Sequence, residues 1–150
     1  MKILVQNKKA YHDYFIEETY EAGIELFGTE VKSLRAGKCS IRESYIEIKN
    51  GEAFVVGMNI SPYEMGNIFN RDSLRKRRLL LHKREIRALQ EAKSKDGYTL
   101  VPTKVYLNDR GYVKLEVAIA KGKKLYDKRE SIQKRDVERK VRKEIKEYRK

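Results

Sequence analysis

From Val113 to Ala120 the apolar side chains Val113, Leu115, Val117 and Ile119 alternate with Lys114, Glu116, Ala118 and Ala120, and then the alternation stops. A period of two is what a half-buried strand requires, because successive side chains point to opposite faces of a sheet. The stretch AKGKKLYDKR, residues 120–129, then turns basic, and from Lys121 to Lys150 there are 14 Lys plus Arg against 6 Asp plus Glu. The last 30 residues thus carry +8 of a formal net charge of +13 and leave +5 for the rest. The chain divides into a folded body, residues 1–120, and a basic arm, residues 121–150.

Within the body, residues 1–13 hold few core-forming side chains and read as an exposed lead-in. Tyr14 to Leu26 then places Tyr14, Ile16, Tyr20, Ala22, Ile24 and Leu26 at even positions, a long strand with one apolar face. Gly23 inside it predicts a bulge or a close approach by another backbone. At Gly28-Thr29 the period changes: Thr29 can cap a short helix carrying Val31 and Leu34 on one side, and Gly37 can end it in the left-handed conformation. Asn50-Gly51, between Tyr45–Ile48 and Ala53–Val56, predicts a tight hairpin. A helix is expected from about Lys83 to Lys95, stopped at Gly97, then two strands joined by Asn108-Asp109-Arg110-Gly111. The fold class expected is mainly β with short helices. An OB-type antiparallel barrel is the leading architecture, since a strongly curved sheet must hide its edges.

With hydrophobic residues at 40% of 150, a single modest core is affordable once the arm is set aside. Cys39 is the one cysteine, so neither an internal disulfide nor a cysteine zinc site is expected. No apolar run is long enough for a membrane span and the N-terminus does not read as a signal peptide, so a cytoplasmic location is expected. The excess of positive charge points to a polyanion, and nucleic acid before membrane. Three basic segments stand out: Lys32, Arg35 and Lys38; Arg75 to Arg78; and Lys121, Lys123 and Lys124. Interleaved tyrosines offer rings on which bases can stack.

His12, Asp13, Glu17, Glu18 and Glu21 suggest a metal-dependent nuclease, but a strand period puts Glu17 and Glu21 on one face and Glu18 on the other. No phosphate-binding glycine loop or nucleophile elbow occurs, so neither catalysis nor a cofactor is expected. In the arm, Val137, Val141, Ile145 and Tyr148 are spaced for one helical side, with favourable i,i+4 pairs such as Glu130/Lys134 and Glu138/Arg142. Because an isolated helix of about 20 residues is marginal in water, the arm is expected to be disordered when free and helical when bound.

The chain resembles the SmpB family of SsrA-binding proteins, partners of transfer-messenger RNA in bacterial ribosome rescue. The resemblance rests on Asn7 with His12-Asp13-Tyr14-Phe15-Ile16, Glu21-Ala22-Gly23, Gly28 to Arg35 with Gly37-Lys38, Ser44-Tyr45, Gly51-Glu52, Leu79 to Lys83, and Ala120 to Arg129. It implies a barrel gripping the tRNA-like part of transfer-messenger RNA, in place of an anticodon stem, with no catalysis by the protein. The body would occupy the decoding region of the small ribosomal subunit and the arm the empty mRNA channel. By the same resemblance, RNA binding is expected of Asn7, Glu21, Gly23, Lys32, Arg35, Lys38, Tyr45, Arg75, His82, Lys83, Lys121, Lys123 and Lys124. Ribosome contact is expected of His12, Tyr126, Asp127, Lys128, Arg129, Val137, Val141 and Ile145. Elongation factor Tu and alanyl-tRNA synthetase are implied as indirect partners of a monomer.

Overall fold

The computed structural model describes residues 1–62 and 73–123. Nine strands and three helices occur among them: β1 (Lys2–Gln6), α1 (Lys8–Asp13), β2 (Tyr14–Ile24), α2 (Gly28–Arg35), β3 (Cys39–Ser40), β4 (Tyr45–Lys49), β5 (Glu52–Val56), β6 (Asn59–Ile60), β7 (Arg77–Leu80), α3 (Lys83–Lys93), β8 (Tyr98–Leu107) and β9 (Val113–Gly122). Seven strands form one antiparallel sheet in the order β1-β8-β9-β2-β7-β5-β4, and β3 pairs with β6 beside it. The edge strand β4 comes back against β8, so the sheet curls around its core. That core joins Ala22 and Ile24 of β2 to Leu34, Ile46, Val55, Leu79, Leu89, Val105, Leu115 and Val117. The architecture is mainly β with short helices, as the patterning predicts.

Residues 1–13 are not an exposed lead-in. They supply β1, which pairs with β8, and α1. The side chain of Asn7 makes this segment part of the body. Its Oδ1 accepts from the N–H of Ala10 at 3.1 Å, capping α1, while its Nδ2 donates to the carbonyls of Ile41 and Pro102 at 3.2 and 3.0 Å. Ala10 then packs with Val101, Ala118 and Ala120 in a second small cluster, on the opposite face of the sheet from the main core.

That second cluster explains why β2 departs from a simple alternation. The pairing with β9 shifts between Ile16 and Glu18, leaving Glu17 as the extra residue of a bulge. Before the bulge Tyr14 and Ile16 pack with Ala10, and after it Tyr20, Ala22 and Ile24 face the main core. The bulge therefore falls at Glu17 and not at Gly23. Gly23 answers a close approach of a different kind, because a Cβ there would lie 3.2 Å from the Cβ of Leu80. In β8 a register shift follows Pro102, which has no N–H to give a ladder.

Asn50 and Gly51 both adopt positive φ, 53° and 73°, the geometry of a primed turn joining β4 to β5. In α2 the N-cap is Phe27 and not Thr29, because the Glu30 carboxylate reaches back to the Phe27 N–H at 2.9 Å. Gly37 ends that helix with φ 75°, as expected. No described helix is long and apolar enough to cross a membrane.

Candidate nucleic-acid interface

On the outer face of the sheet, Glu21 of β2 lies opposite Glu116 of β9, and Gly23 lies opposite both Lys114 of β9 and Leu80 of β7. These positions border a solvent-open groove of about 400 Å³, whose other walls include Arg78, His82, Glu52 and Glu85. The groove exists because Gly23 has no side chain to fill it, so Leu80 can lie low over the strand while staying half exposed. His82 caps α3 and is fixed by its own N–H, which donates to Glu85 Oε1 at 2.9 Å. Three carboxylates, an imidazole and two cations thus converge around an apolar ledge.

The two facing carboxylates, Glu21 and Glu116, would repel one another across the strands. Each is met by a hydroxyl from β8. Tyr106 Oη donates to Glu21 Oε2, and Thr103 Oγ1 donates to Glu116 Oε2 at 2.5 Å. Burial, then the Glu21 carboxylate, pushes the Tyr106 phenol well above its usual range, so it stays a donor at any physiological pH. Lys104 Nζ lies 5.7 Å from the Tyr106 ring centre.

The expected site residues do not all lie on this surface. Glu21, Gly23 and His82 meet at the groove, with Lys83 exposed in the first turn of α3 beside His82. Lys32, Arg35 and Lys38 are exposed on α2 and just past it. Tyr45, also exposed, borders a different concavity with Asn7, Lys9, Arg42 and Thr99. Asn7 is buried, its amide engaged within the fold. His12 is exposed, with Nδ1 at 3.0 Å from Asp13 Oδ1. Lys124, Tyr126, Asp127, Lys128, Arg129, Val137, Val141 and Ile145 lie outside the described residues.

The basic run Arg75 to Arg78 is only partly the exposed patch its composition predicts, since Lys76 and Arg78 are exposed and Arg75 and Arg77 are not. Arg77 is fully buried and donates to Glu30 through Nε at 2.8 Å and through a terminal nitrogen at 2.7 Å. Arg75 donates to the same carboxylate at 3.1 and 2.5 Å and stacks 4.7 Å from the Phe27 ring centre. Lys76 reaches Glu47, and Arg78 reaches Glu25 and Glu52. Burial works to raise the Glu30 pKa, but hydrogen bonds from Arg75, the Phe27 N–H and Arg77 outweigh it and hold the carboxyl below its ordinary value. Lys121 is likewise buried in β9, its Nζ 5.1 Å from the Tyr98 ring centre. Lys123 folds back to donate to the Tyr11 carbonyl at 3.0 Å and lies over Phe15.

Lys114 and Leu80 line the groove and Tyr106 supports Glu21 beside it, and none of the three is singled out as a site residue by the sequence. Their grouping follows from pairing across β8, β9, β2 and β7, which one strand's alternation does not reveal. The carboxylates that suggest a metal site are dispersed: Glu17 accepts from the Tyr98 hydroxyl at 3.3 Å and Glu21 from Tyr106. Among the described residues no three His, Cys, Asp or Glu side chains come together as a metal cage. Burial pushes the Cys39 thiol up to about 12, which suppresses thiolate chemistry.

Fold and groove together define a basic, antiparallel β protein built for binding. Residues 4–147 match the SmpB protein family. The chain is 60% identical over 147 residues to the SsrA-binding protein of Caldanaerobacter subterraneus subsp. tengcongensis, covering 98% of this chain and 92% of that one. It is 59% identical over 148 residues to the SsrA-binding protein of Caldicellulosiruptor bescii, covering 99% and 93%. A solved chain described as "tmRNA-SmpB: a journey to the center of the bacterial ribosome" superposes with a TM-score of 0.68 at 51% identity, covering 79% of this chain and 83% of that chain. The chain belongs to the SmpB family, whose members are not enzymes.

Proposed function

We propose that this protein binds the tRNA-like part of transfer-messenger RNA and delivers it to ribosomes stalled on truncated messages, where the nascent chain is tagged by trans-translation. The observation that carries this reading is membership of a family of SsrA-binding proteins by a chain whose outer sheet face holds a groove of mixed polar chemistry on a strongly basic body. In this reading Glu21, Gly23, His82 and Lys83 meet the RNA at the groove, and Lys32, Arg35, Lys38, Tyr45 and Lys123 meet it elsewhere on the body. Asn7, Arg75 and Lys121 act through the fold, because their polar groups are engaged inside it. The arm, with Tyr126, Asp127, Lys128, Arg129, Val137, Val141 and Ile145, enters the empty mRNA channel, so only ribosomes without downstream message accept the complex. His12 contacts the ribosome near the channel entrance. Alanyl-tRNA synthetase charges the RNA and elongation factor Tu acts on the charged form, and the protein works as a monomer in the cytoplasm.

The test is to sequence the RNA that co-purifies with the protein. One dominant structured RNA with an alanine-type acceptor end is expected, and a broad mixture would count against the reading. Binding to that RNA and to an unrelated duplex across a salt series separates readout from charge. Each phosphate neutralised should cost about 0.7 to 0.9 log units of affinity per log unit of salt. Coincident curves for the two RNAs would mean the groove reads nothing.

A further inference from the structure

A glycine between two lysines is a natural place for a chain to bend, but Gly122 belongs to β9 and its N–H donates to the Gly97 carbonyl at 3.2 Å. Lys121 before it is buried, with Nζ over the Tyr98 ring, and pairs in register with both Phe15 and Tyr98. Lys123 after it is held twice. Its Nζ donates to the Tyr11 carbonyl at 3.0 Å and lies 5.2 Å from the Phe15 ring centre. Three consecutive residues past the last core alanine, Ala120, are thus anchored to α1, to β2 and to the start of β8.

The acceptor on Tyr11 has a physical reason. The last four carbonyls of a helix have no partner within it, and Tyr11 lies in the final turn of α1. A lysine arriving there satisfies one of them, as basic side chains near helix C-termini do. The face of the Phe15 ring adds its own attraction for the ammonium. One of the three N–H groups of Lys123 goes to Tyr11, which leaves donors for RNA. The clasp closes beside His12, which follows Tyr11 in the chain and is exposed.

We propose that Lys123 is a positioning residue for the arm: by clasping the Tyr11 carbonyl and the Phe15 ring it fixes the point at which the chain leaves the body, so that the root of the arm and His12 are offered to the ribosome as one unit. The inference rests on the arm entering the mRNA channel. Its first measurement involves no RNA, so the clasp and that reading can fail separately.

Amide hydrogen exchange of the full-length protein, followed by NMR, reads the clasp at Gly122. In the parent its amide should be protected, as a paired strand amide is. Phe15→Leu removes the ring but no charge and should speed that exchange about fivefold, the scale of one cation–π contact. Lys123→Met, which loses the donor as well, should speed it at least as much, and Lys123→Arg, which keeps cation and donor, should return it to within about twofold of the parent. Exchange at Leu115, in the same strand, should stay parental in all three. Phe15→Leu should then bind free transfer-messenger RNA like the parent while tagging about fivefold more slowly on a message truncated at the decoding site. Parental Gly122 exchange in both Phe15→Leu and Lys123→Met overturns the clasp, as does an arginine variant that exchanges as fast as the methionine one. Leu115 exchange that speeds up together with Gly122 in every variant also overturns it, since the contacts would then hold the sheet and not the arm. An open clasp with parental tagging overturns the positioning role. A parent that shows the clasp but neither binds the RNA nor tags overturns the functional reading, and the positioning role with it, while the clasp stands.

Discussion

Glu30 shows how much of this fold turns on one side chain. A buried carboxylate is costly unless fully partnered, and here it takes donors from two arginines and a backbone N–H, joining α2 to β7. Glu30→Gln leaves the buried Arg77 guanidinium without its counter-charge and should cost about 3 to 5 kcal/mol, read as a lower urea midpoint at neutral pH. The pH dependence has a definite sign. A carboxyl whose folded pKa is lowered contributes stability above its unfolded pKa and loses it as pH falls through the folded one, so the parent should weaken below about pH 4.5 and the variant should weaken less. Glycines give a second residue-scale prediction. Gly37 and Gly57 share a positive φ, 75° and 82°, but a Cβ at Gly57 would lie 2.9 Å from the Glu43 carbonyl oxygen while one at Gly37 meets nothing within 4 Å. Gly37→Ala should cost about 1 to 2 kcal/mol for the backbone alone, and Gly57→Ala clearly more, by thermal melts of the two variants. Gly37 was legible in the sequence because it follows a helix. Arg77 was not, since nothing in a run of basic residues marks the one whose counter-charge lies 47 positions away.

Elements with strong local rules were legible, and those held by distant partners were not. The β4–β5 hairpin follows from Asn50-Gly51, and β9 from its alternation, because turn chemistry and pleat are properties of neighbouring residues. By contrast β1 and α1 look polar and short on paper. They are held by pairing with β8 and by the amide of Asn7, contacts up to 105 residues apart in sequence. The groove shares this origin, since Glu21, Leu80 and Lys114 reach it from three strands. Asn7→Ala removes a helix cap and two long-range hydrogen bonds at once. The cap alone is worth about 0.5 to 2 kcal/mol, so a melting temperature several degrees lower is expected. Any loss of RNA affinity should then track the unfolded fraction and vanish on cooling. A variant that melts like the parent but binds poorly at every temperature would instead put Asn7 in contact with RNA.

At the scale of the whole molecule, charge and core separate. The hydrophobic clusters among the described residues draw on side chains up to Ala120, whereas the residues from Lys121 onward carry +8 of the formal charge. A chain ending after Arg129 should therefore keep its melting temperature and most of its RNA affinity, while losing the ability to support tagging on a stalled ribosome. A truncated chain that unfolds would show the arm to be part of the body. The proposed entry of the arm into the channel calls for a subtler change. Its i,i+4 pairs make a helix accessible, its narrow apolar stripe makes that helix marginal alone, and phosphate-lined surroundings would favour it. Val141→Pro removes a helix donor and clashes with the preceding turn, costing about 3 kcal/mol in a helix interior, yet alters neither charge nor body. Binding to free transfer-messenger RNA should stay at the parental level while tagging, in a reconstituted assay with a message truncated at the decoding site, falls by about a hundredfold, the ratio that such a cost implies. If the proline variant tags as well as the parent, the arm works as a flexible polycation, and its repeating apolar residues serve some purpose other than folding into the channel.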